Sequence, residues 1–377
     1  LTFGFCVELQ SEIFESVIHE VGRSYTLTLE KIRRRITGKG NNPDTTPPTV
    51  PVVPAQFLPT RQGPETLRAT WLGHACYHVE FPSGLRVLFD PVFEARCSPF
   101  SWMGPKRHTE PPCAIGDIPI VDVVVISHSH YDHLSYPTIQ QIQQTHPNVL
   151  FAVPLGLKKW FNDSGIQNVV ELDWWQDVDI KLEPSTGATL VGSSATKATP
   201  QHETIKARLS CLPCQHTSAR TPFDTGHTLW ASWAVSSPAS NGETKSVYFG
   251  GDTGYRAVPL VPDHEDDYSP QYDHLPRCPA FREIGARKGP FDLALIPIGA
   301  YDPRHIFSSM HANPFDAVEI FKDVKARRAM GIHWGTWVLT EEDVKAPPKV
   351  LKAALARSGF AETGVFDVCD IGETREF

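Results

Sequence analysis

The sequence predicts an α/β fold of two β-sheets packed together with helices on the outside. Three observations carry that expectation. Short apolar, β-branched runs recur along most of the chain, as strands of sheet interiors do. The early runs follow one another closely, while the later ones alternate with helical patterns. A single doubly wound sheet would alternate strand and helix throughout, so this change of rhythm favours two sheets. Finally, 377 residues with 41% hydrophobic and 21% charged side chains suffice for one large domain with a substantial core.

Taken in order, residues 1–64 read as a peripheral arm. It carries an amphipathic helical pattern and a basic patch of Lys31, Arg33, Arg34, Arg35 and Lys39. A Pro/Thr-rich tract from Pro43 to Pro54 follows, which can form neither a regular helix nor a central strand. The basic patch suits an anionic membrane surface and a solvated helix face equally well. The main domain is placed at 65–377. Leu85–Phe89, Val121–Ile126 and Val149–Val153 read as buried strands, and Pro137 opens a helix after the second of them.

Residues 181–206 are rich in Ser, Thr, Ala and Gly and read as a surface insertion. Residues 256–277 read as another, with Pro259, Pro262, Pro270, Pro276 and an acidic run from Asp263 to Asp267. Leu229–Val235, Val247–Phe249, Leu293–Ile298 and Ala329–Ile332 supply the later strands. Pro314–Lys325 reads as a helix with Asn313 as N-cap and Pro314 in the first helical position.

Composition narrows the function classes. A net charge of −8 and a pI near 6.1 give no electrostatic footprint of a nucleic-acid binder. No run of about eighteen apolar residues reads as a membrane-spanning helix. Glu8, Glu12, Glu15 and Glu20 argue against a mitochondrial presequence within these residues. Eight scattered cysteines favour a reduced, intracellular setting over a disulfide framework. Cys211-Leu-Pro-Cys214 has C-x-x-C spacing, but no second pair completes a structural zinc site, and two ordinary thiols are the expectation.

The chemistry concentrates in one loop. Ser127-His128-Ser129-His130-Tyr131-Asp132-His133 follows the run Val123–Ile126 and places four potential metal ligands, three imidazoles and a carboxylate, within six residues. His128 and His130 can reach one ion, and the Asp132-His133 pair is displaced toward a second. Two ions need further ligands, one of them an anion able to bridge. His216, Asp252 and His333 each follow a predicted strand, and the glycines at 250, 251 and 254 let the chain turn tightly around Asp252.

This order of ligands resembles that of the metallo-β-lactamase superfamily. The resemblance implies a four-layer αβ/βα sandwich with a dinuclear zinc centre at one edge. His128, His130 and His216 would hold one metal, Asp132, His133 and His333 the other, and Asp252 would bridge. Further blocks are similar to the N-acyl-phosphatidylethanolamine-hydrolysing phospholipase D family. They include Thr70-Trp71-Leu72-Gly73-His74-Ala75, Phe89-Asp90-Pro91, Met103-Gly104-Pro105-Lys106-Arg107 and Asp173-Trp174-Trp175. Gly250-Gly251-Asp252-Thr253-Gly254-Tyr255, Gly299-Ala300-Tyr301 and His333-Trp334-Gly335-Thr336 belong to the same set.

That resemblance implies a phosphodiesterase with two Zn²⁺, Fe and Mn being acceptable to the same ligands. N-acyl-phosphatidylethanolamine would be hydrolysed to N-acylethanolamine and phosphatidate through a metal-bridging hydroxide. Asp132 would orient the nucleophile besides ligating metal. His311 would contact the phosphate or protonate the leaving group, and Tyr131 would border the substrate, where packing is an equal reading. His74 and His305 carry no assignment. The expected partners are a phospholipid substrate, a membrane contacted peripherally from inside the cell, and optionally a second copy in a homodimer. The competing readings are a related hydrolase such as a sugar-phosphate lactonase, and a non-catalytic lipid-binding metalloprotein. Thr217-Ser218 after His216 departs from the aromatic expected there, which leaves acyl-chain preference open.

Overall fold

The computed structural model describes residues 40–61, 65–183, 187–190 (backbone), 204–239, 241–262 and 265–377. The basic patch of the arm lies outside them. The strands are β1 (Arg68–Gly73), β2 (Cys76–Glu80), β3 (Arg86–Phe89), β4 (Val123–Val125), β5 (Leu150–Pro154) and β6 (Val169–Leu172). They continue with β7 (Asp177–Glu183), β8 (Gly187–Leu190), β9 (Ile205–Leu212), β10 (Ser232–Pro238) and β11 (Thr244–Phe249). The last are β12 (Phe291–Pro297), β13 (Ala326–Ile332), β14 (Phe366–Asp367) and β15 (Thr374–Glu376). Six α-helices intervene among the described residues: α1 (Tyr136–Thr145), α2 (Lys158–Asp163), α3 (Ala280–Arg287), α4 (Arg304–Phe307), α5 (Pro314–Asp323) and α6 (Ala346–Arg357).

Two mixed sheets result. One has seven strands in the order β15-β1-β2-β3-β4-β5-β6, and the other has eight in the order β14-β13-β12-β11-β10-β9-β7-β8. The alternation along each strand decides what lies between layers. Val123 and Val125 of β4 enter the large core between the sheets, whereas Val124 and Ile126 face a second core with Ile139 and Ile142 of α1 and Phe161 of α2. Phe281 and Ile284 of α3, Val318 and Phe321 of α5, and Leu351 and Leu355 of α6 are buried against the other sheet. The layering is that of an αβ/βα sandwich.

Strands β3 to β6 run parallel in the first sheet, and β11 to β14 do so in the second. Their carboxyl ends gather along one edge, where open parallel sheets place ligands. No helix among the described residues is long and apolar enough to cross a membrane.

Three expectations change in detail. The segment 181–206 is no simple surface insertion at its ends. Lys181–Glu183 completes β7 and pairs with β8, and Ile205 begins β9, while 184–186 and 191–203 fall outside the described residues. The hairpin edge keeps Ile180 and Leu182 buried and Lys181 exposed, so its polar half hides the strand period. The excursion 256–277 is tied down by Arg256, whose buried guanidinium meets Asp267 at 3.3 Å and the face of the Tyr268 ring at 4.0 Å. The Pro-rich tract runs extended along the domain, with Val53 N–H donating to Ile371 O and Arg61 paired to Asp122 at 2.7 Å.

Candidate metal centre

Each candidate side chain sits where a strand stops. The loop Ser127–His133 leaves β4, and α1 begins behind it with Ser135 as N-cap, its hydroxyl accepting from Thr138 N–H. Glu94 accepts from the hydroxyls of Ser135 and Thr138 and so anchors that helix start beneath the loop. His216 follows β9, Asp252 follows β11, and His333 follows β13. Gly251 has φ +57°, and a Cβ there would stand 2.6 Å from Ser127 Cβ. Only glycine lets Asp252 approach the histidine loop this closely. His74, Asp90 and His333 adopt φ of 51°, 37° and 63°, so three non-glycine residues hold left-handed backbone at the site.

The side chains converge as two overlapping sets. His128 Nε2 lies 2.8 Å from His130 Nδ1, and His216 Nε2 lies 3.2 Å from the same atom. Asp132 Oδ2 stands 3.4 Å from His133 Nε2, 3.3 Å from His333 Nε2 and 3.0 Å from His74 Nε2. Asp252 Oδ2 serves both sets, at 3.2 Å from His133 Nε2, 3.0 Å from His333 Nε2, 3.7 Å from His216 Nε2 and 4.0 Å from His128 Nε2. Donors about 2.0–2.1 Å from one ion in a tetrahedron stand roughly 3.3 Å apart, so this spacing fits a divalent metal.

Outer hydrogen bonds fix which ring nitrogen points inward. Ser127 Oγ gives its only proton to Asp90 Oδ2 at 2.5 Å, so His128 Nδ1–H must donate to Ser127 Oγ at 2.9 Å. His133 Nδ1–H donates to Asp90 Oδ2 at 2.6 Å, and His216 Nδ1–H donates to Met310 O at 2.9 Å. All three therefore turn an Nε2 lone pair toward the centre. Asp252 Oδ1 and His133 Nε2 are buried and find no hydrogen-bond partner among the described residues. Converging lone pairs and carboxylate oxygens repel one another unless a cation joins them, and this donor set meets that need.

The electrostatics agree. Burial opposes charge on His133, yet Asp252, Asp132 and Asp90 outweigh it and hold the ring well above the usual histidine range. His333 behaves likewise: burial disfavours its charge, but Asp252 and the hydrogen bond to Asp132 raise it to about 9. Burial would raise the carboxyls of Asp252 and Asp132, but the rings of His133 and His333 keep both well below the ordinary carboxylate range. Burial and the neighbouring imidazoles push His128 well below its usual value. A region that favours added positive charge so strongly favours a divalent cation over protons, and the two compete for the same nitrogens.

Around this cluster stand the other candidates. His311 Nδ1 lies 3.9 Å from Asp252 Oδ2, its ring stacks with His333 at 5.3 Å, and burial pushes it down to about 3. Tyr131 is half-buried with its ring under the Arg220 guanidinium at 4.0 Å, so packing accounts for much of its placement. His305 lies on α4, away from the ligand sets. Cys211 and Cys214 are buried free thiols, as are Cys76, Cys97 and Cys369, while Cys113 and Cys278 are free and half-buried.

Sequence reasoning left three participants without a role. His74 joins the Asp132 set, Asp90 holds two outer hydrogen bonds of the centre, and Arg220 clamps the histidine loop by donating to Ser129 O at 2.8 Å and Leu134 O at 2.9 Å. A signal existed for the first two, since each is a polar residue just past an apolar strand. Arg220 lies in an irregular stretch and offered none.

With this geometry in hand, comparison with known proteins is informative. Residues 85–334 match the family model described as the beta-lactamase superfamily domain. The chain is 38% identical over 317 residues to N-acyl-phosphatidylethanolamine-hydrolyzing phospholipase D 1 of Caenorhabditis elegans, covering 82% of this chain and 76% of that protein. It is 30% identical over 297 residues to the mitochondrial N-acyl-phosphatidylethanolamine-hydrolyzing phospholipase D of Saccharomyces cerevisiae, covering 78% of this chain and 53% of that one. Among solved structures, the isothiocyanate hydrolase from Delia radicum gut bacteria superposes with a TM-score of 0.54 at 15% identity, over 82% of this chain and 98% of that one. The last likeness is one of fold.

Proposed function

Because the chain belongs to the metallo-β-lactamase superfamily and, within it, to the N-acyl-phosphatidylethanolamine-hydrolysing phospholipase D family, we propose that it cleaves N-acyl-phosphatidylethanolamine to N-acylethanolamine and phosphatidate with two zinc ions. The chain is a metal-dependent hydrolase. The observation that carries the two-metal reading is Asp252 Oδ2, a single oxygen within 4.0 Å of inward nitrogens from both histidine sets. In this reading His128, His130 and His216 hold one ion, Asp132, His133 and His333 hold the other, and Asp252 joins them. Neutral imidazoles with carboxylates suit zinc, and also iron or manganese.

Bound divalent metal supplies a nucleophile from water at neutral pH and positive charge against the phosphodiester oxygens. The residues do the rest. Asp132, held ionised by the histidines around it, accepts a hydrogen bond from attacking water and aims it. His311, kept neutral by burial, donates a hydrogen bond to a phosphodiester oxygen. The outer bonds from Asp90, Ser127 and Met310 O hold the imidazoles in place through the reaction.

Two features support a lipid substrate presented by a membrane. A groove of about 530 Å³ runs from Pro99 and Ser101 to Tyr131 and Arg220, within the size range of ligand clefts. Beside it Phe100, Trp102 and Met103 stand exposed, Trp102 at 71%, as side chains that enter a lipid interface do. A peripheral contact there would bring a diacyl substrate to the loop without extraction into water.

The test offers metal-loaded protein vesicles containing N-acyl-phosphatidylethanolamine and, separately, phosphorylated lactones, with products identified by mass spectrometry. N-acylethanolamine and phosphatidate are expected. Hydrolysis confined to the lactones overturns the lipid reading.

A further inference from the structure

Not every ligand has an outer partner of its own. His128, His133 and His216 rest their outer nitrogens on Ser127 Oγ, Asp90 Oδ2 and Met310 O, but His333 Nδ1 is buried with no hydrogen-bond partner among the described residues. Adjoining His333 is a cavity of about 30 Å³, lined also by His74, His108, Trp334, Trp337 and Glu342. Several of these residues carry buried ring nitrogens without protein partners: His74 Nδ1, both nitrogens of His108, Trp334 Nε1 and Trp337 Nε1. Buried polar atoms are seldom left unsatisfied, and a cluster of them around one space calls for an occupant.

Donor and acceptor roles identify it. Trp334 Nε1 and Trp337 Nε1 can only donate. In the two-metal reading Nε2 of His333 holds metal, which leaves Nδ1–H as a donor. His74 Nε2 lies 3.0 Å from Asp132 Oδ2, and a carboxylate only accepts, so Nε2 carries the proton. In the neutral ring His74 Nδ1 is then an acceptor. The occupant must accept from several N–H groups and also donate to His74. An anion meets the His74 lone pair, and a cation meets the indole N–H groups. Water does both, and about 10–15 Å³ of such space holds one molecule, so this cavity takes one or two.

We propose that this cavity is a built hydration site whose water accepts from His333 Nδ1 and donates to His74 Nδ1, making His74 the positioning residue for Asp132. The route is His333, water, His74, Asp132, which ties two residues of one ligand set to a common outer partner. His74 is itself fixed from behind, since its N–H donates to Thr336 Oγ1 at 2.7 Å and its carbonyl accepts from Trp71 Nε1 at 2.9 Å. Its ring packs edge-on against Trp337 at 4.9 Å. The inference rests on the two-metal reading for what Asp132 and His333 hold, and so for the proton on His333 Nδ1.

The experiment has two arms. A crystal structure of the metal-loaded protein, at a resolution that shows ordered water, should place water within hydrogen-bond distance of both His74 Nδ1 and His333 Nδ1. An apolar void, or an ion in that place, overturns the proposal. In the second arm, Co²⁺ binding is followed by its visible spectrum against a competing chelator for the unaltered protein, His74→Leu and His74→Gln. His74→Leu should weaken one Co²⁺ equivalent by about 10- to 100-fold and leave the other unchanged, the size of loss typical for outer partners of ligands. His74→Gln keeps an N–H near the Nε2 position and should recover most of it. Equal weakening of both equivalents, or two tight equivalents in His74→Leu, overturns the proposal while leaving the metal centre standing. Unaltered protein that takes up no Co²⁺ overturns the two-metal reading itself. Should His74→Leu fail to fold, the crystal arm and His74→Gln still decide.

Discussion

Oδ2 of Asp90 stands 2.6 Å from Nδ1 of His133, and both side chains are buried at the junction of β3 and β4. Asp90 also accepts from Ser127 N–H at 2.7 Å and from the Ser127 hydroxyl, which in turn accepts from His128. One carboxylate thereby sets the tautomer of two histidines belonging to different ligand sets. Asp90→Asn replaces an acceptor with a group that must present an N–H to one of these donors. Metal affinity should fall by about 10- to 100-fold, measured by chelator competition, with circular dichroism of the stripped protein little changed.

The ring of His333 gives a pH dependence of definite sign. Its folded value of about 9 lies above its ordinary 6.5, so in stripped protein its contribution to stability is complete below 6.5 and is lost as pH rises through 9. Asp132 and Asp252 act in the opposite sense, with stability present above about 3.8 and lost as pH falls below it. Metal takes the nitrogens that protons would occupy, so its affinity should rise about tenfold per pH unit for each proton displaced. Between pH 6.5 and 9 the gap in Tm between loaded and chelator-treated protein should widen. A constant gap would show that His333 does not exchange a proton for metal.

Gly251→Ala should destabilise the fold by about 2–4 kcal/mol in chemical unfolding. The new Cβ falls 2.6 Å from Ser127 Cβ in left-handed backbone, so overpacking adds to a conformational penalty.

Arg220→Met should cost about 2–4 kcal/mol, because it leaves the carbonyls of Ser129 and Leu134 without their donor. The exposed pair of Arg208 with Asp179 is the control, and Arg208→Met should change stability by less than about 1 kcal/mol. Equal effects in the two variants would deny the clamp.

Legibility in the sequence followed local density. Val121–Ile126 and Val149–Val153 announced strands because β4 and β5 are buried along their whole length and carry no polar residue. β2 was unreadable, because His78 and Glu80 are buried polar residues whose partners, Ile120 O and Arg68, exist only in the fold. The helix expected over Pro314–Lys325 stops at Asp323, since Lys325 turns into left-handed backbone at φ 59° before β13. Four candidate ligands within six residues stood out at His128–His133. His74 and Asp90 stood alone in sequence, and their roles arise only when the ends of β1 and β3 meet the histidine loop.

The central claim is that this centre hydrolyses a phosphodiester at phosphorus, and isotope tracing tests it most directly. Metal-loaded protein would be incubated with N-acyl-phosphatidylethanolamine in water enriched in oxygen-18, and the products weighed by mass spectrometry beside a chelator-treated sample. The expected result is one heavy oxygen in phosphatidate, none in N-acylethanolamine, and no turnover without metal. Label in a released fatty acid or in N-acylethanolamine, or turnover that survives metal removal, would contradict the account.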